Sequence, residues 1–173
     1  MMVILDVTAG NRKIWSSKKD IPGVIFIDKE SGLLINQDIM ADNTHLPIRI
    51  DLKIDSIIFD PPWMVNPPPW FNNKKHRTGS GGITYYGSYN SKKEIVPYIN
   101  SAFIEFKKYT NRVCMKWGDS DIPLYRMLGF IKRSGWILIK QIELKSKRNR
   151  GGNSKTANWW VVLERDSGVW GVV

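Results

Sequence analysis

The chain has 173 residues, of which 42% are hydrophobic and 12% aromatic, as in a globular domain large enough to bury a core. Its single cysteine, Cys114, excludes a disulfide-stapled scaffold and is expected to be a buried core thiol. No apolar run reaches membrane-spanning length, and the start, MMVILDV, is too short for a signal peptide. We therefore expect one cytoplasmic domain over residues 1–173, without membrane association.

The charge is strongly positive, with 26 Lys and Arg against 16 Asp and Glu, a net charge of +10 and an isoelectric point near 9.7. Such a surplus favours nucleic acid as the partner. A generally Lys- and Asn-rich proteome is the alternative explanation. Neither His45 nor His76 belongs to a Cys/His cluster with metal-ligand spacing, so no metal site is expected.

Four short apolar runs open the chain, and each lies close to an aspartate. Residues 2–7, 24–28, 38–42 and 55–60 predict buried strands. Each aspartate alone could be a helix cap or part of a solvated turn. In open α/β sheets, however, ligands bind outside the carboxyl ends of the strands. The repetition favours a binding site built from Asp6, Asp28, Asp42 and Asp60.

The segment after the first strand predicts a turn that leads into a short amphipathic stretch, 12–19. Thr8, Gly10 and Asn11 are small or turn-forming residues, and Arg12 follows them. A turn of this kind presents backbone amides to an anionic or carboxylate ligand. An ordinary strand-to-helix turn has the same sequence, so the glycine alone is a weak signal.

The next two acidic positions suit a nucleoside-containing cofactor. Asp28 ends a strand about twenty residues after the first turn, where an acid is placed to hold ribose hydroxyls. Asp42 lies at the tip of the third predicted strand, where it can bond the adenine amine of a cofactor, with Asn43 beside it.

The stretch Asp60-Pro61-Pro62-Trp63 follows the fourth predicted strand. The prolines stop strand pairing and stiffen the chain, so that a carboxylate and an aromatic ring are held beside each other. The lone pair of a nucleobase amine is delocalised into the ring. Hydrogen bonds from that amine to Asp60 and to the Pro61 carbonyl would free the lone pair, while Trp63 could stack on a flipped base. Alone, the four residues are equally compatible with a plain strand and turn.

Residues 64–93 form an irregular segment that is rich in basic and aromatic residues. Loops this long within a compact domain are usually functional or disordered. Basic residues interleaved with aromatics suit single-stranded or flipped nucleic acid, and a lid over the cofactor is the alternative. The candidate nucleic-acid-binding residues here are Lys74, Lys75, Arg77, Tyr85 and Tyr86.

The remaining pattern alternates helices and strands. A helix is predicted from Ser91 to Tyr109, with Ser91 and Glu94 as a capping box, followed by a strand over 112–117. A second helix is predicted over 120–132, with Leu124, Met127 and Leu128 facing inward. The strands at 135–144 and 158–165 are joined too closely for a crossover helix, so they predict an antiparallel hairpin.

The loop of that hairpin is the densest positive stretch of the chain. Its basic residues could hold phosphates at the rim of a site, or they could form a solvated hairpin tip. The candidates are Lys147, Arg148, Arg150 and Lys155.

These motifs resemble the class I S-adenosylmethionine-dependent methyltransferases. Asp-Pro-Pro-Trp is similar to the motif of enzymes that methylate an amine, above all that of adenine. The string from Asp6 to Trp15 is similar to a small phage and prokaryotic group that begins Asp-x-Thr-x-Gly-x-Arg-x-x-Trp. Lys116-Trp117 and a Thr-x-x-Trp pattern at Thr156 also match that group, and the likeness extends over most of the chain.

The resemblance implies a Rossmann-like sheet, mostly parallel and closed by a C-terminal antiparallel hairpin. It implies S-adenosyl-L-methionine as cofactor, with Asp60, Pro61, Pro62 and Trp63 as catalytic residues. The cofactor residues would be Asp6, Thr8, Gly10, Asn11, Arg12, Asp28, Asp42 and Asn43. The first motif carries less glycine than is usual in the family. This keeps open a non-catalytic or weakly active methyltransferase-like subunit that binds nucleic acid.

The implied reaction is methylation of a nucleobase exocyclic amine, with adenine favoured over cytosine. DNA is slightly favoured over RNA, and guanine amines or a protein glutamine amide are the rival substrates. We expect a monomer or dimer. Because little chain remains for target recognition, selectivity would come from the basic loops or from a partner subunit.

Overall fold

A computed structural model of the protein describes residues 2–10, 12, 14–15, 21–29, 37–62, 91–119, 121–144 and 157–168. Within these ranges the elements in chain order are β1 (Ile4–Asp6), β2 (Val24–Asp28), β3 (Ile39–Met40), β4 (Ser56–Phe59), α1 (Lys92–Phe106), β5 (Arg112–Gly118), α2 (Leu124–Arg133), β6 (Trp136–Leu144) and β7 (Asn158–Arg165). Neither described helix has the length and apolar composition needed to cross a bilayer.

The seven described strands form one sheet in the order β3-β2-β1-β4-β5-β7-β6. The pairs among β1 to β5 are parallel, whereas β7 pairs antiparallel with both β5 and β6. This confirms the predicted mostly parallel α/β sheet with a C-terminal antiparallel hairpin. The strand order reverses between β1 and β4. The carboxyl ends of these two strands therefore border the crevice where open α/β sheets bind ligands.

Helix α1 covers one face of this sheet with its apolar side. Its residues Ile95, Ile99, Ala102, Phe103 and Phe106 are all fully buried, as their helical spacing predicted. Phe59 of β4 packs edge-on against the rings of Phe103 and Phe106, with centroids 6.0 and 5.2 Å apart. Burying each such side chain stabilises the fold by about 1.5–3 kcal/mol, so α1 fixes the position of β4 and of whatever follows it.

The prediction that β4 is buried on both sides is wrong. Ile57 and Phe59 are inaccessible, but Ser56 and Ile58 are half-buried. Ile58 and Cys114 line a cavity of about 260 Å³ on the face away from α1, together with Trp15 and Trp160. Cys114 is accordingly half-buried rather than a core thiol. A short apolar run cannot reveal this, because its pattern does not show how completely the second face is covered.

The helix starts also differ from the predictions. Ser91 precedes α1 with extended backbone, but its side chain makes no capping bond to an amide, and its hydroxyl lies 3.5 Å from a Glu94 carboxylate oxygen. Helix α2 begins at Leu124 instead of residue 120, because Pro123 disfavours a helical backbone at the residue before it and is itself extended, with ψ 145°. Leu124 and Met127 face inward as predicted, Ile131 completes the buried side of α2, and Leu128 packs against the core as a partly buried side chain.

Candidate active site

Four carboxylates lie near the same edge of the sheet, as their positions after apolar runs predicted. Asp6 and Asp28 are the last residues of β1 and β2, Asp60 directly follows β4, and Asp42 lies two residues beyond β3. The four strands are parallel neighbours in the sheet. Their carboxyl ends therefore point the same way, and the acids surround the crevice between β1 and β4.

Asp60 is fixed at this edge through the turn after β1. Its backbone N–H donates to the Thr8 hydroxyl oxygen over 2.7 Å, and the residue as a whole is only 4% exposed. On the same side of β1, the Val7 N–H donates to the carbonyl of Ile58 in β4 over 3.1 Å. The Asp-Pro-Pro segment and the small-residue turn, which are 52 positions apart in the chain, thus form one connected unit.

The Asp60 carboxylate is paired with Lys116 of β5. The lysine Nζ donates to Oδ2 over 2.7 Å, and the two side chains are 26% and 5% exposed. Burial raises the pKa of Asp60, whereas the charge and hydrogen bond of Lys116 lower it. Burial prevails, and the pKa lies above its ordinary value. Lys116 is the only described residue that bonds this carboxylate, so Oδ1 can accept a hydrogen bond from a ligand.

Asp6 is buried more completely than Asp60, and its carboxylate bonds two groups of the protein itself. Its Oδ2 accepts the indole N–H of Trp15 over 2.7 Å, and its Oδ1 accepts the Thr8 N–H over 3.2 Å. Burial raises the pKa of Asp6 to about 6 despite these bonds, and the negative charges of Asp60 and Asp28 add to the rise. The carboxylate holds the turn and Trp15 in place. Its predicted contact with the cofactor stays a prediction.

The same turn is tied to β2. Gly10 has a left-handed backbone (φ +48°), and its N–H donates to Oδ2 of Asp28 over 2.9 Å. Arg12 is 2% exposed, lies 3.7 Å above the ring centroid of Phe26, and donates to Asp38 over 3.2 Å. These contacts hold Arg12 beside β2, and its predicted contact with the cofactor stays a prediction.

Asp42 and Asn43, next to each other in the chain, point in different directions. The Asp42 side chain is exposed. Its limited loss of hydration raises the pKa, but hydrogen bonds from the Thr44 amide and hydroxyl outweigh this effect, and the pKa of Asp42 lies below its ordinary value. Asn43 is 5% exposed and donates from Nδ2 to the Tyr98 hydroxyl over 2.7 Å. Its Oδ1 has no hydrogen-bond partner among the described residues.

Three residues of this site were missed as functional candidates. Lys116 was noted only as part of a Lys-Trp pair, yet it interrupts the apolar strand β5 at a half-buried position, and that is a usable signal. Tyr98 on α1 and Asp38 before β3 contact predicted site residues through side chains. No sequence pattern pairs them with those partners.

The other predicted site residues lie outside the described residues. They include Asn11 and Trp63, together with all the candidates for nucleic-acid contacts: Lys74, Lys75, Arg77, Tyr85, Tyr86, Lys147, Arg148, Arg150 and Lys155. Of the four catalytic candidates, the structure describes Asp60 and the two prolines.

The fold has clear counterparts among solved structures, whereas no protein-family model and no curated protein matches the sequence. The hMettl16 catalytic domain in complex with MAT2A 3'UTR hairpin 1 is similar with a TM-score of 0.59 and 14% identity, over 94% of this chain and 63% of that one. This chain thus spans less than two thirds of the length of that structure.

Two further structures have the same fold. The human methyltransferase 10 domain containing protein gives a TM-score of 0.54 at 14% identity, over 95% of this chain and 71% of that one. Magnesium protoporphyrin IX methyltransferase (ChlM) from Synechocystis PCC 6803, with bound SAM, gives 0.50 at 11% identity, over 95% and 70%. The chain therefore has the Rossmann-like methyltransferase fold.

Proposed function

We propose that the protein is an S-adenosylmethionine-dependent methyltransferase that acts on the exocyclic amine of a nucleobase in DNA or RNA, with adenine favoured over cytosine. The observation that carries the proposal is the setting of Asp60. A buried carboxylate follows β4 at the reversal of strand order, is stiffened by Pro61 and Pro62, and is held by Lys116 through one oxygen.

The described edge fits the proposed cofactor in its chemistry. S-adenosylmethionine presents ribose hydroxyls, an adenine amine and a positively charged sulfonium, which together require hydrogen-bond acceptors and negative charge. Acceptor side chains lie at the tips of β1, β2 and β3, and Asp42 is exposed there. We propose that Asp28 bonds the ribose and Asp42 the adenine amine, with the turn from Thr8 to Gly10 lying between them and Asp60. The bound SAM of ChlM, which has this fold, supports the choice.

Asp60 would make the acceptor amine nucleophilic. Oδ1 and the Pro61 carbonyl would accept the two amine hydrogens, which would pull the nitrogen towards tetrahedral geometry and free its lone pair. The cofactor supplies an electrophilic methyl group on sulfur. In the proposed transfer a nitrogen–carbon bond would form as the carbon–sulfur bond breaks, with the neutral thioether as leaving group, and the amine would lose a proton to Asp60 or to solvent. Positioning supplies most of the rate, and no covalent enzyme intermediate is needed.

The net charge of +10 supports a nucleic-acid substrate over a protein amide. The hMettl16 catalytic domain, which has this fold, is in complex with an RNA hairpin. RNA therefore belongs among the substrates to test, and the slight preference for DNA stays a prediction. Three further statements also stay predictions: the chain is a single domain over 1–173, it is a monomer or dimer, and a partner subunit supplies target recognition.

The decisive experiment is transfer of labelled methyl groups to DNA, RNA and protein pools, followed by nucleoside analysis. We expect label in N6-methyladenine or in the corresponding cytosine product. Label only in protein, or only in a guanine amine, would replace the proposed substrate by one of its rivals.

Calorimetry with S-adenosylmethionine tests the remaining alternative. Nucleic-acid binding without cofactor binding would favour a non-catalytic subunit.

A further inference from the structure

The pair of Asp60 and Lys116 is built by the sheet itself. Strands β4 and β5 are parallel and pair Phe59 with Met115, so the next positions along them are Asp60 and Lys116. On its other side Lys116 lies opposite Trp160 of β7. Three strands thus define where the ammonium is, and its Nζ lies 2.7 Å from Oδ2 of the carboxylate.

From this placement we propose that Lys116 is a positioning residue for methyl transfer. Its ammonium favours the ionised form of the Asp60 carboxylate and binds Oδ2, so that Oδ1 is left to face the acceptor amine. The inference rests on the proposed function and assigns a new role within that site. Lys116 itself touches neither the amine nor the methyl group.

The charge balance around Asp60 explains why a cation is needed. A carboxyl group with a 5% exposed side chain loses most of its hydration, and burial favours the neutral acid. The end of β1 adds Asp6, whose negative charge interacts unfavourably with that of Asp60. Among the described elements around Asp60, α1 presents the neutral rings of Phe103 and Phe106 behind Phe59, and β7 presents Trp160. Lys116 is the one described cation that pairs with Asp60.

Orientation is the second contribution of Lys116. A carboxylate has two equivalent oxygens and can rotate, so a single fixed partner selects which oxygen remains for the substrate. The bond to Oδ2 leaves Oδ1 as the acceptor, while the backbone bond to Thr8 fixes the residue that carries it. A neutral or rotated Asp60 would accept the amine hydrogen poorly, and the nitrogen lone pair would stay delocalised.

The test compares Lys116→Gln, Lys116→Arg and a matched control, Lys108→Gln. Lys108 also pairs with a buried carboxylate, since the Glu105 side chain is 7% exposed. It follows the C-terminal end of α1, however, and contacts no described residue of the candidate site. Turnover, KM and cofactor affinity are measured between mildly acidic and alkaline pH, with nucleic acid as the methyl acceptor. Loss of an opposite charge at this distance raises a carboxyl pKa by about 1–3 units.

We expect the acidic limb of the kcat profile to move upward by about one pH unit or more in Lys116→Gln. Each unit lowers turnover about tenfold on the acidic side of the limb, and high pH restores part of it. Lys116→Arg should restore the limb and most of kcat, while cofactor affinity stays unchanged in both variants. Lys108→Gln should leave the limb in place. An unshifted limb in Lys116→Gln, or an equal loss in the arginine and glutamine variants, would overturn the role.

Titration of Asp60 by carboxylate ¹³C NMR separates this inference from the proposed function. If the wild-type protein transfers no methyl group to any pool, the proposed function fails. An upward shift of the Asp60 titration in Lys116→Gln would still support the electrostatic role of the lysine. An unshifted titration would overturn that role whatever the activity.

Discussion

Two buried carboxylates of this protein are each paired with a lysine, and the pairs differ in what else surrounds them. Glu105, near the end of α1, accepts hydrogen bonds from the Leu46 amide and the Tyr109 hydroxyl as well as from Lys108. Asp60, at the end of β4, accepts one bond from a described residue, that of Lys116.

The pKa values of the two acids move in opposite directions. Burial raises the pKa of Glu105, but the hydrogen bonds outweigh it and the net value is lowered. Burial raises the pKa of Asp60, and Lys116 alone does not cancel it. The Glu105 region uses its carboxylate to join α1 to the segment before β4. The Asp60 region keeps a carboxylate under-satisfied, as a site that binds a polar substrate requires.

The largest expected effect is that of Asp60→Asn. The variant keeps the shape of the side chain but loses the negative charge that accepts the amine hydrogen, so methyl transfer should fall by about 10²–10³-fold or more. The charge that burial disfavours is also removed, so we expect little loss of stability. Labelled methyl transfer and denaturant unfolding measure the two effects. Retained activity would show that Asp60 is not the amine acceptor.

Glu105→Ala should show the opposite profile. It leaves the Leu46 amide without its acceptor, while the Tyr109 hydroxyl keeps its 3.0 Å bond to the Leu46 carbonyl, so the free energy of unfolding should fall by about 2–3 kcal/mol. Because the folded pKa is lowered, this contribution is present above the unfolded value of 4.5 and is lost as pH falls through the folded pKa. Urea unfolding at neutral and acidic pH tests it, with activity per folded molecule as the control. Equal losses at both pH values would contradict the assignment.

Asp6 is a third buried acid, and its pKa is shifted upward, whereas that of Glu105 is shifted downward. Its folded pKa of about 6 lies above the ordinary 3.8, so the folded state takes up a proton first as the pH falls through this window. Lowering the pH from 7 to 4 should therefore stabilise wild type, relative to Asp6→Asn, by about 2–3 kcal/mol. Urea unfolding of both proteins at the two pH values measures the difference. No difference between their pH dependences would place the Asp6 pKa near its ordinary value.

Asp28→Ala should give the smallest effect. It tests whether Asp28 contributes to cofactor binding, in contrast to the catalytic role proposed for Asp60. Removing the proposed ribose acceptor, which also holds the Gly10 amide, should weaken S-adenosylmethionine binding by about 1–3 kcal/mol. Calorimetry measures it, with Asp51→Ala as the matched control, because Asp51 is an exposed acid paired with Arg49. An unchanged dissociation constant for Asp28→Ala would remove Asp28 from the cofactor site.

Most of the elements, and the positions of the acids along them, follow from local patterns in the sequence. Short apolar runs, helical periodicity on α1 and the closeness of β6 and β7 are local patterns. They were enough to predict the mostly parallel sheet and its antiparallel hairpin. The same patterns placed Asp6, Asp28 and Asp60 at strand ends, where the structure has them. Local sequence carries this information because backbone geometry and the need to bury one face act over a few residues.

The contacts of each acid, in contrast, depend on the tertiary structure. Lys116 reaches Asp60 from 56 positions away, and Glu105 bonds the amide of Leu46 from 59 positions away. Asp6 turns to the Trp15 indole, and Asn43 to the Tyr98 hydroxyl. Burial and hydrogen bonding, which set whether a carboxylate is satisfied or left for a substrate, depend on strand register and on helix packing. Positions in the sequence do not give the distance between two side chains that come together only when the chain folds.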